Sequence, residues 1–202
     1  MLFRKKPSFN ENDLPAVIAA CLAGEAKAQE CLVKMFLGYA RSVCYPYVSN
    51  KEEAEEIIND AFLKVFTNLH KYDHSRAFKA WFKSILINTA IDQYRKNAKQ
   101  VQAISIEKVD IAYDEVDILS KISAEEILTL VQQLPPAYRL VFNLYVIEGY
   151  NHREIAEMIN IQEGTSKSNL RDARQKLQSM ILKSHPQLYF AYSLKSNKIN
   201  EN

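Results

Sequence analysis

INIQEGTSKSNLRDARQKL, residues 159–177, combines the spacing of a helix with a strong positive charge. Between Lys167 and Lys176 it holds four basic residues and one acid, Asp172. Its apolar residues recur at intervals of three and four, as in an amphipathic helix. The residues predicted to face inward are Leu170, Ala173, Leu177 and Ile181. A solvated surface helix or a helix laid against DNA would both carry this pattern.

The segment just before it, NHREIAEMI at 151–159, predicts another helix. Gly149 tolerates left-handed backbone and can end the preceding helix, while Asn151 and Glu154 have the spacing of a capping box. The residues predicted to face inward are Ile155, Ala156 and Ile159. A short turn, NIQEG, contains a glycine, and the next helix is predicted to begin near Thr165. Two such helices, with the second one basic, are typical of a helix-turn-helix.

The outward-facing side chains of the second helix suit a nucleic-acid partner. They are Lys167, Ser168, Arg171 and Arg174. The major groove of DNA admits one α-helix, and arginine can form two hydrogen bonds with guanine. Lysine and arginine also neutralise phosphates. The cap, the turn and the inner-face spacing together favour DNA binding over a merely solvated helix.

The rest of the chain also predicts an all-α fold. Only 4 glycines and 6 prolines occur in 202 residues, and alternating β-branched runs are few. Helical patterns recur over about 13–24, 25–48, 51–72, 79–99, 125–134 and 137–149. Residues 76–99 hold six basic residues and one acid, a balance of +5, whereas 105–126 hold seven acids and two lysines, a balance of −5. The acidic stretch predicts a linker between two small helical domains.

We therefore predict four segments. They are a helical domain over 1–100, an acidic linker over 101–121, a helix-turn-helix domain over 122–184 and a tail without an assigned role over 185–202. The capping-box pair Ser123 and Glu126 is predicted to open the second domain.

Composition and motifs exclude several classes of protein. No run approaches the ~20 apolar residues that span a bilayer, and no apolar stretch follows the basic N-terminus. We therefore predict a cytoplasmic protein without membrane insertion. Cys21, Cys31 and Cys44 are predicted to be small buried residues in a reducing compartment. The sequence shows no metal-ligand spacing, no cofactor motif and no nucleophile–base set. We therefore predict that the protein is not an enzyme and binds neither a metal ion nor a cofactor.

Two blocks of this sequence resemble a known family. EEAEEIINDAFLKVFTNL at 52–69, followed by FKAWFKSILINTAIDQYRKN at 78–97, is similar to region two of sigma-70-type RNA polymerase sigma factors. LPPAYRLVFNLYVIEGYNHREIAEMINIQEGTSKSNLRDARQKL at 134–177 is similar to region four. The small size matches the extracytoplasmic-function (ECF) group. The resemblance covers roughly residues 10–183.

The resemblance implies a polymerase-binding face in the first block. In the family a region-two helix docks on a coiled coil of the polymerase β′ subunit. The matching positions here are Glu56, Asn59, Asp60 and Leu63. The family often has Gln-Glu where this chain has Asn59-Asp60, which is a mild chemical change.

The resemblance also implies contact with the promoter −10 element as single-stranded DNA. The matching positions are Asn88, Asp92, Arg95 and Lys96, with the loop at 70–77 nearby. A basic face beside aromatic rings can hold the DNA backbone and stack extruded bases. For Trp81 and Phe82 two interpretations stay open, a place in the core and a role in stacking.

In region four the resemblance implies recognition of the −35 element in the major groove. The matching positions are Thr165, Lys167, Ser168, Arg171 and Arg174. Many relatives read GTVKSRL where this chain reads GTSKSNL, so Ser166 replaces an apolar residue and Asn169 replaces an arginine. Asp172 places an acid where a basic residue is common, which weakens the local attraction for DNA.

The function implied is a promoter-specificity subunit whose partners are core RNA polymerase and promoter DNA. Small sigma factors are often held by an anti-sigma partner. The acidic linker would either thread toward the RNA exit channel or serve as a flexible tether. A DNA-binding regulator that uses only the helix-turn-helix is the alternative, and binding to core polymerase distinguishes the two.

Overall fold

The computed structural model describes residues 9–100 and 123–185. The predicted linker at 101–121 and the tail beyond His185 lie outside these ranges. The chain divides into two compact units, Met1–Gln93 and Tyr94–Asn202. Within the described ranges every regular element is a helix and no strand occurs, which confirms the all-α prediction.

Four α-helices begin between residue 9 and the end of the first unit. They are α1 (Leu14–Leu22), α2 (Ala26–Cys44), α3 (Lys51–Asn68) and α4 (Phe78–Gln100). Pro46 lies in a 3-10 turn, Tyr45–Tyr47, that follows α2, as expected for a residue that cannot continue a helix. The Asn50 side chain caps α3 by accepting a hydrogen bond of 2.8 Å from the Glu53 N–H. Two glutamates in the first turn of α3 add a favourable interaction with the helix dipole.

The core of the first unit is built around Phe82 of α4, whose side chain has 0% exposure. Its ring centroid lies 4.9 Å from that of Phe62 in α3 and 5.9 Å from that of Phe36 in α2. Phe78 of α4 lies 6.0 Å away. Phe82 is therefore a core residue that ties three helices together, whereas its neighbour Trp81 is only half-buried.

In the part of the second unit that the structure describes, four α-helices begin. They are α5 (Ala124–Gln132), α6 (Pro136–Phe142), α7 (His152–Ile159) and α8 (Glu163–Ser184). A π-helical turn, Asn143–Ile147, continues α6, and Gly149 follows it with the positive φ of +81° predicted for a helix end. Both predicted capping boxes are present, at Ser123 with Glu126 and at Asn151 with Glu154.

Helix α8 forms the centre of the second unit, and α5, α6 and α7 pack against it. The four residues predicted to face inward from α8 are all buried, as are the three predicted for α7. Burial of these side chains supplies most of the stability of such short helices, since isolated helices of this length are marginal in water.

The turn between α7 and α8 differs from the sequence prediction. Helix α8 begins at Glu163, so Gly164 lies inside the helix and not in the turn. The left-handed residue is Asn160, with a φ of 56°. Asparagine tolerates this conformation better than most residues with a side chain. Glu163 suits the N-terminus of α8 and forms an ion pair with Lys167 one turn later, at 2.7 Å.

The conformation of Asn160 leads to a testable prediction. Asn160→Ala should lower the free energy of unfolding of the second unit by about 1 kcal/mol, because alanine is strained at positive φ. Asn160→Gly should match or exceed the parent, since glycine adopts that conformation without strain. Chemical denaturation followed by circular dichroism compares the two variants, and equal stabilities would contradict a left-handed residue 160.

The prediction of three buried cysteines is wrong for one of them. Cys21 and Cys44 are buried, but Cys31 is half-buried on the flank of α2, where its Sγ lies 3.5 Å from the Glu11 carbonyl oxygen. Burial raises the pKa of Cys21 to about 11 and that of Cys44 to about 12. These two thiols therefore stay protonated and act as apolar packing groups.

Candidate nucleic-acid interface

The four α3 residues predicted to bind a protein partner share one exposed face. Asn59, Asp60 and Leu63 follow Glu56 at intervals of one helical turn, and all four side chains are exposed. The opposite side of α3 is buried. Leu63 is 66% exposed, an unusually open position for a large apolar side chain that is flanked by acids. This combination suits docking of a protein surface that offers both apolar and basic groups.

An ion pair connects α3 with α4. The Lys64 ammonium lies 2.9 Å from the carboxylate of Asp92, the one acid between 76 and 99. Both side chains are substantially exposed, so the pair adds at most about 1 kcal/mol to stability. Its main consequence is electrostatic, because Lys64 offsets the negative charge that Asp92 places on the otherwise basic helix.

The four α4 residues predicted to meet single-stranded DNA also follow helical spacing. Asn88, Asp92 and Lys96 are exposed, and Arg95 is half-buried. Asn88 and Asp92 lie in the first unit, and the other two lie at the start of the second. The helix thus presents an amide at Asn88 and an ammonium at Lys96, groups that bind phosphate, whereas the Arg95 guanidinium donates to the Met158 carbonyl.

Aromatic rings form a group at the beginning of α4. The Tyr72 ring centroid lies 5.2 Å from that of Trp81, 5.4 Å from that of Phe78 and 4.9 Å from that of His74. The Tyr72 hydroxyl donates to the Arg76 carbonyl at 2.5 Å, so the loop is folded onto these rings. Hydrogen bonds from the Ser75 side chain and backbone lower the pKa of Asp73, which fixes a carboxylate in the loop.

The outward residues predicted on α8 form a row along its solvent side. Thr165, Lys167, Arg171 and Arg174 are exposed, and Ser168 is half-buried with its hydroxyl donating to the Thr165 carbonyl at 3.0 Å. The opposite face of α8 is in the core. A single helix with a buried apolar face and an exposed basic face is the form that enters a major groove.

Arg171 is held by a neighbouring acid that is itself anchored. Its Nε donates to the Asp172 carboxylate at 3.2 Å. The other oxygen of Asp172 accepts a hydrogen bond of 3.3 Å from the Tyr138 hydroxyl on α6. Sequence reasoning noted Asp172 only as an unfavourable charge. It missed Tyr138, which lies 34 positions away and carries no periodic signal linking it to α8.

A second set of contacts surrounds Arg174. Its guanidinium lies 6.0 Å from the ring centroid of Tyr145, and that ring stacks on His152 at 4.6 Å. His152 Nδ1 lies 2.9 Å from the hydroxyl of Ser166, a residue with 0% exposure. The serine that replaces an apolar residue is therefore buried and hydrogen-bonded, which removes most of the cost of burying its hydroxyl.

His152 makes the second unit sensitive to acid. Burial lowers its pKa from 6.5, and the charge of Lys167 acts in the same direction. The unfolded chain then binds the proton more readily than the folded one, so stability is greatest above pH 6.5 and is lost as pH falls through the lowered pKa. We expect the thermal midpoint to fall on acidification, and His152→Gln should reduce that dependence. His70→Gln, at an exposed histidine of the first unit, is the matched control, and an undiminished slope in His152→Gln would contradict the assignment.

Other kinds of site receive no support from the described residues. Within 9–100 and 123–185 no group of three or more His, Cys, Asp or Glu side chains could hold a metal ion. Over the same ranges no helix is long and apolar enough to cross a membrane.

Family models of known proteins match parts of both units. The family model Sigma-70 region 2 matches residues 32–100, and Sigma-70, region 4 matches residues 124–177. Together these stretches make up more than half of the chain. The first contains α3 and all of α4, and the second contains α7 and most of α8.

Several individual proteins are similar along most of their length. The ECF RNA polymerase sigma factor SigM of Bacillus subtilis (strain 168) is 28% identical over 152 residues, which cover 74% of this chain and 92% of that protein. SigW of the same strain is 28% identical over 170 residues, which cover 78% and 91%. Among solved structures, the sigma factor RpoE in complex with the anti-sigma factor NepR from Bartonella quintana is 22% identical and covers 76% of this chain and 96% of that one. The TM-score of that match is 0.44.

Proposed function

This chain belongs to the sigma-70 family of RNA polymerase sigma factors, in the ECF group, and on that premise we propose which of its surfaces meet polymerase and promoter DNA. As a member of this family it is a promoter-specificity subunit for transcription initiation and not an enzyme. Its partners are core RNA polymerase and promoter DNA. We assign polymerase binding to α3, the −10 element to α4 and the −35 element to α8.

The observation that carries the proposal is the exposed basic row on α8, within the part of the chain that matches region four. In a major groove, Arg171 and Arg174 would reach base edges or phosphates, and Lys167 would contact phosphate. Thr165 lies in the first turn of α8, where free backbone N–H groups attract a phosphate. Ser168 adds a small hydroxyl on the same side.

Helix α4 and the loop before it would hold the −10 element as a single strand. Asn88 and Lys96 offer polar contacts along α4, and the half-buried rings of Tyr72 and Trp81 lie at the start of the same helix. Stacking of bases on aromatic rings contributes about 1–3 kcal/mol per base. The ion pair between Lys64 and Asp92 would reduce the repulsion between this helix and the DNA backbone.

Polymerase binding belongs to the exposed face of α3. Leu63 would fill an apolar pocket, and Glu56 and Asp60 would meet basic groups of the partner. Transcription initiation takes place where polymerase and DNA meet, so we expect the protein to act in the cytoplasm. An anti-sigma partner, implied by the family resemblance, stays a prediction.

Selection of promoter DNA by the reconstituted holoenzyme tests these assignments. Promoter fragments recovered from a random pool should share two conserved elements. Arg174→Ala should weaken binding with its effect confined to the upstream element, and should lower the salt slope of log K by about one if it contacts a phosphate. Binding of duplex DNA by the protein alone, as tight as by the holoenzyme, would favour the regulator that uses only the helix-turn-helix.

A further inference from the structure

Asp172 is the one acid in a row of basic side chains, and its contacts explain why it is there. Its carboxylate joins two donors, the Nε of Arg171 at 3.2 Å and the hydroxyl of Tyr138 at 3.3 Å. Asp172 is 25% exposed and Arg171 is 58% exposed, so the acid lies at the base of the arrangement and the arginine projects from it. An acid that only repelled DNA would need neither contact.

The geometry of the helix makes these contacts informative. Neighbouring residues on an α-helix do not face each other, so the Arg171 side chain must lean sideways to reach Asp172. That orientation is stable only if Asp172 is fixed in place, and Tyr138 on α6 supplies the anchor. Burial and the negative charge of Asp172 raise the pKa of Tyr138, so its hydroxyl keeps its proton and remains a donor.

The choice of atom matters for recognition. Asp172 uses only the Nε of Arg171, and within the described ranges the two Nη groups form no hydrogen bond. These two groups form the fork that binds the O6 and N7 atoms of guanine. An arginine held through Nε loses less conformational entropy on binding than a free one, because its fork is already oriented.

We infer that Asp172 is a positioning residue that, anchored by Tyr138, orients the Arg171 guanidinium to read one base pair in the major groove. The inference rests on the proposed function, in which α8 reads the −35 element. In this role Asp172 contributes to specificity. By its charge alone, the acid would only reduce the affinity for every DNA sequence equally.

The test measures binding of the holoenzyme to the selected promoter duplex and to its single base-pair variants across the upstream element. Arg171→Ala identifies the base pair that this residue reads, as a loss of discrimination of roughly fivefold to a hundredfold at one position. Asp172→Ala should reduce discrimination at that same position by about threefold or more. Tyr138→Phe should do the same to a smaller degree and should leave the salt slope unchanged, because no charge is removed.

Glu157→Ala on α7 is the matched control, since it removes one exposed acid without touching Arg171. It should leave discrimination at every position unchanged. The circular dichroism spectrum of each variant verifies its fold, and Tyr138→Phe keeps the test valid if Asp172→Ala folds poorly.

The outcomes separate the inference from the function on which it rests. If Arg171→Ala leaves discrimination intact, the assignment of Arg171 to base reading fails and the positioning role fails with it. If Arg171→Ala abolishes discrimination but Asp172→Ala or Tyr138→Phe preserves it, only the positioning role is overturned. A uniform gain in affinity for all duplexes in Asp172→Ala, equal to that in Glu157→Ala, would show that Asp172 acts merely as a charge.

Discussion

Leu63→Glu is expected to lower the affinity of the protein for core RNA polymerase by roughly 100-fold or more. Leu63 is 66% exposed at the end of a face that already carries Glu56 and Asp60. Docking would bury the new carboxylate without a partner, close to charges of the same sign, and a desolvated charge of this kind is strongly unfavourable. Titration of the labelled protein with core polymerase measures the loss.

Leu22→Glu provides the matched control, since Leu22 is also an exposed leucine, at 47% exposure, on α1. The control should bind polymerase like the parent, and both variants should keep the parent's helical content. Equal affinities for Leu63→Glu and the parent would remove α3 from the polymerase interface. An equal loss in the two variants would show that the effect is not specific to that face.

Phe82→Ala is expected to lower the free energy of unfolding of the first unit by about 3–5 kcal/mol. The Phe82 ring has 0% exposure and touches aromatic rings from α2, α3 and α4, so its removal leaves a cavity where three helices meet. Trp81 is the single tryptophan of the chain and belongs to the same unit. Its fluorescence during denaturation therefore reports on the first unit alone.

Phe66→Ala is the comparison for this prediction. Phe66 is half-buried on α3 and stacks on Phe62 with ring centroids 6.3 Å apart, so its loss should cost clearly less than that of Phe82. If the two variants were equally stable, Phe82 would not be the centre of this core.

The helices and their inner faces were predictable because each depends on neighbours within one or two turns. Spacing alone identified Leu170, Ala173 and Leu177 as buried, and the capping boxes follow from side chains three residues apart. For Trp81 and Phe82 the sequence left a core position and a stacking role open, and it could not show which of the two residues is more buried. Their burial depends on rings contributed by α2 and α3.

The features that the sequence did not predict depend on contacts across the fold, or on which of two nearby residues takes the left-handed position. Asn160 and not Gly164 takes the left-handed position, because Glu163 already suits the first turn of α8. The partners of the recognition helix come from 14 to 34 positions away, as in the contacts of Ser166 with His152 and of Asp172 with Tyr138. A helical pattern shows which side faces inward, but not which polar group lies opposite.

The roles assigned to residues on α3, α4 and α8 stay predictions. All of these residues except Arg95 and Ser168 are exposed, and those two are half-buried. The Arg95 Nη2 group already donates to the Met158 carbonyl, so a contact of this group with DNA would replace that hydrogen bond.

Transcription by purified core RNA polymerase, with and without this protein, tests the central claim most directly. The template pool should contain the promoter fragments selected by the holoenzyme and matched fragments with scrambled upstream and downstream elements. The account predicts specific transcripts from the selected fragments only when the protein is present, and none from the scrambled fragments. If the protein leaves initiation by core polymerase unchanged on every template, it is not acting as a promoter-specificity subunit.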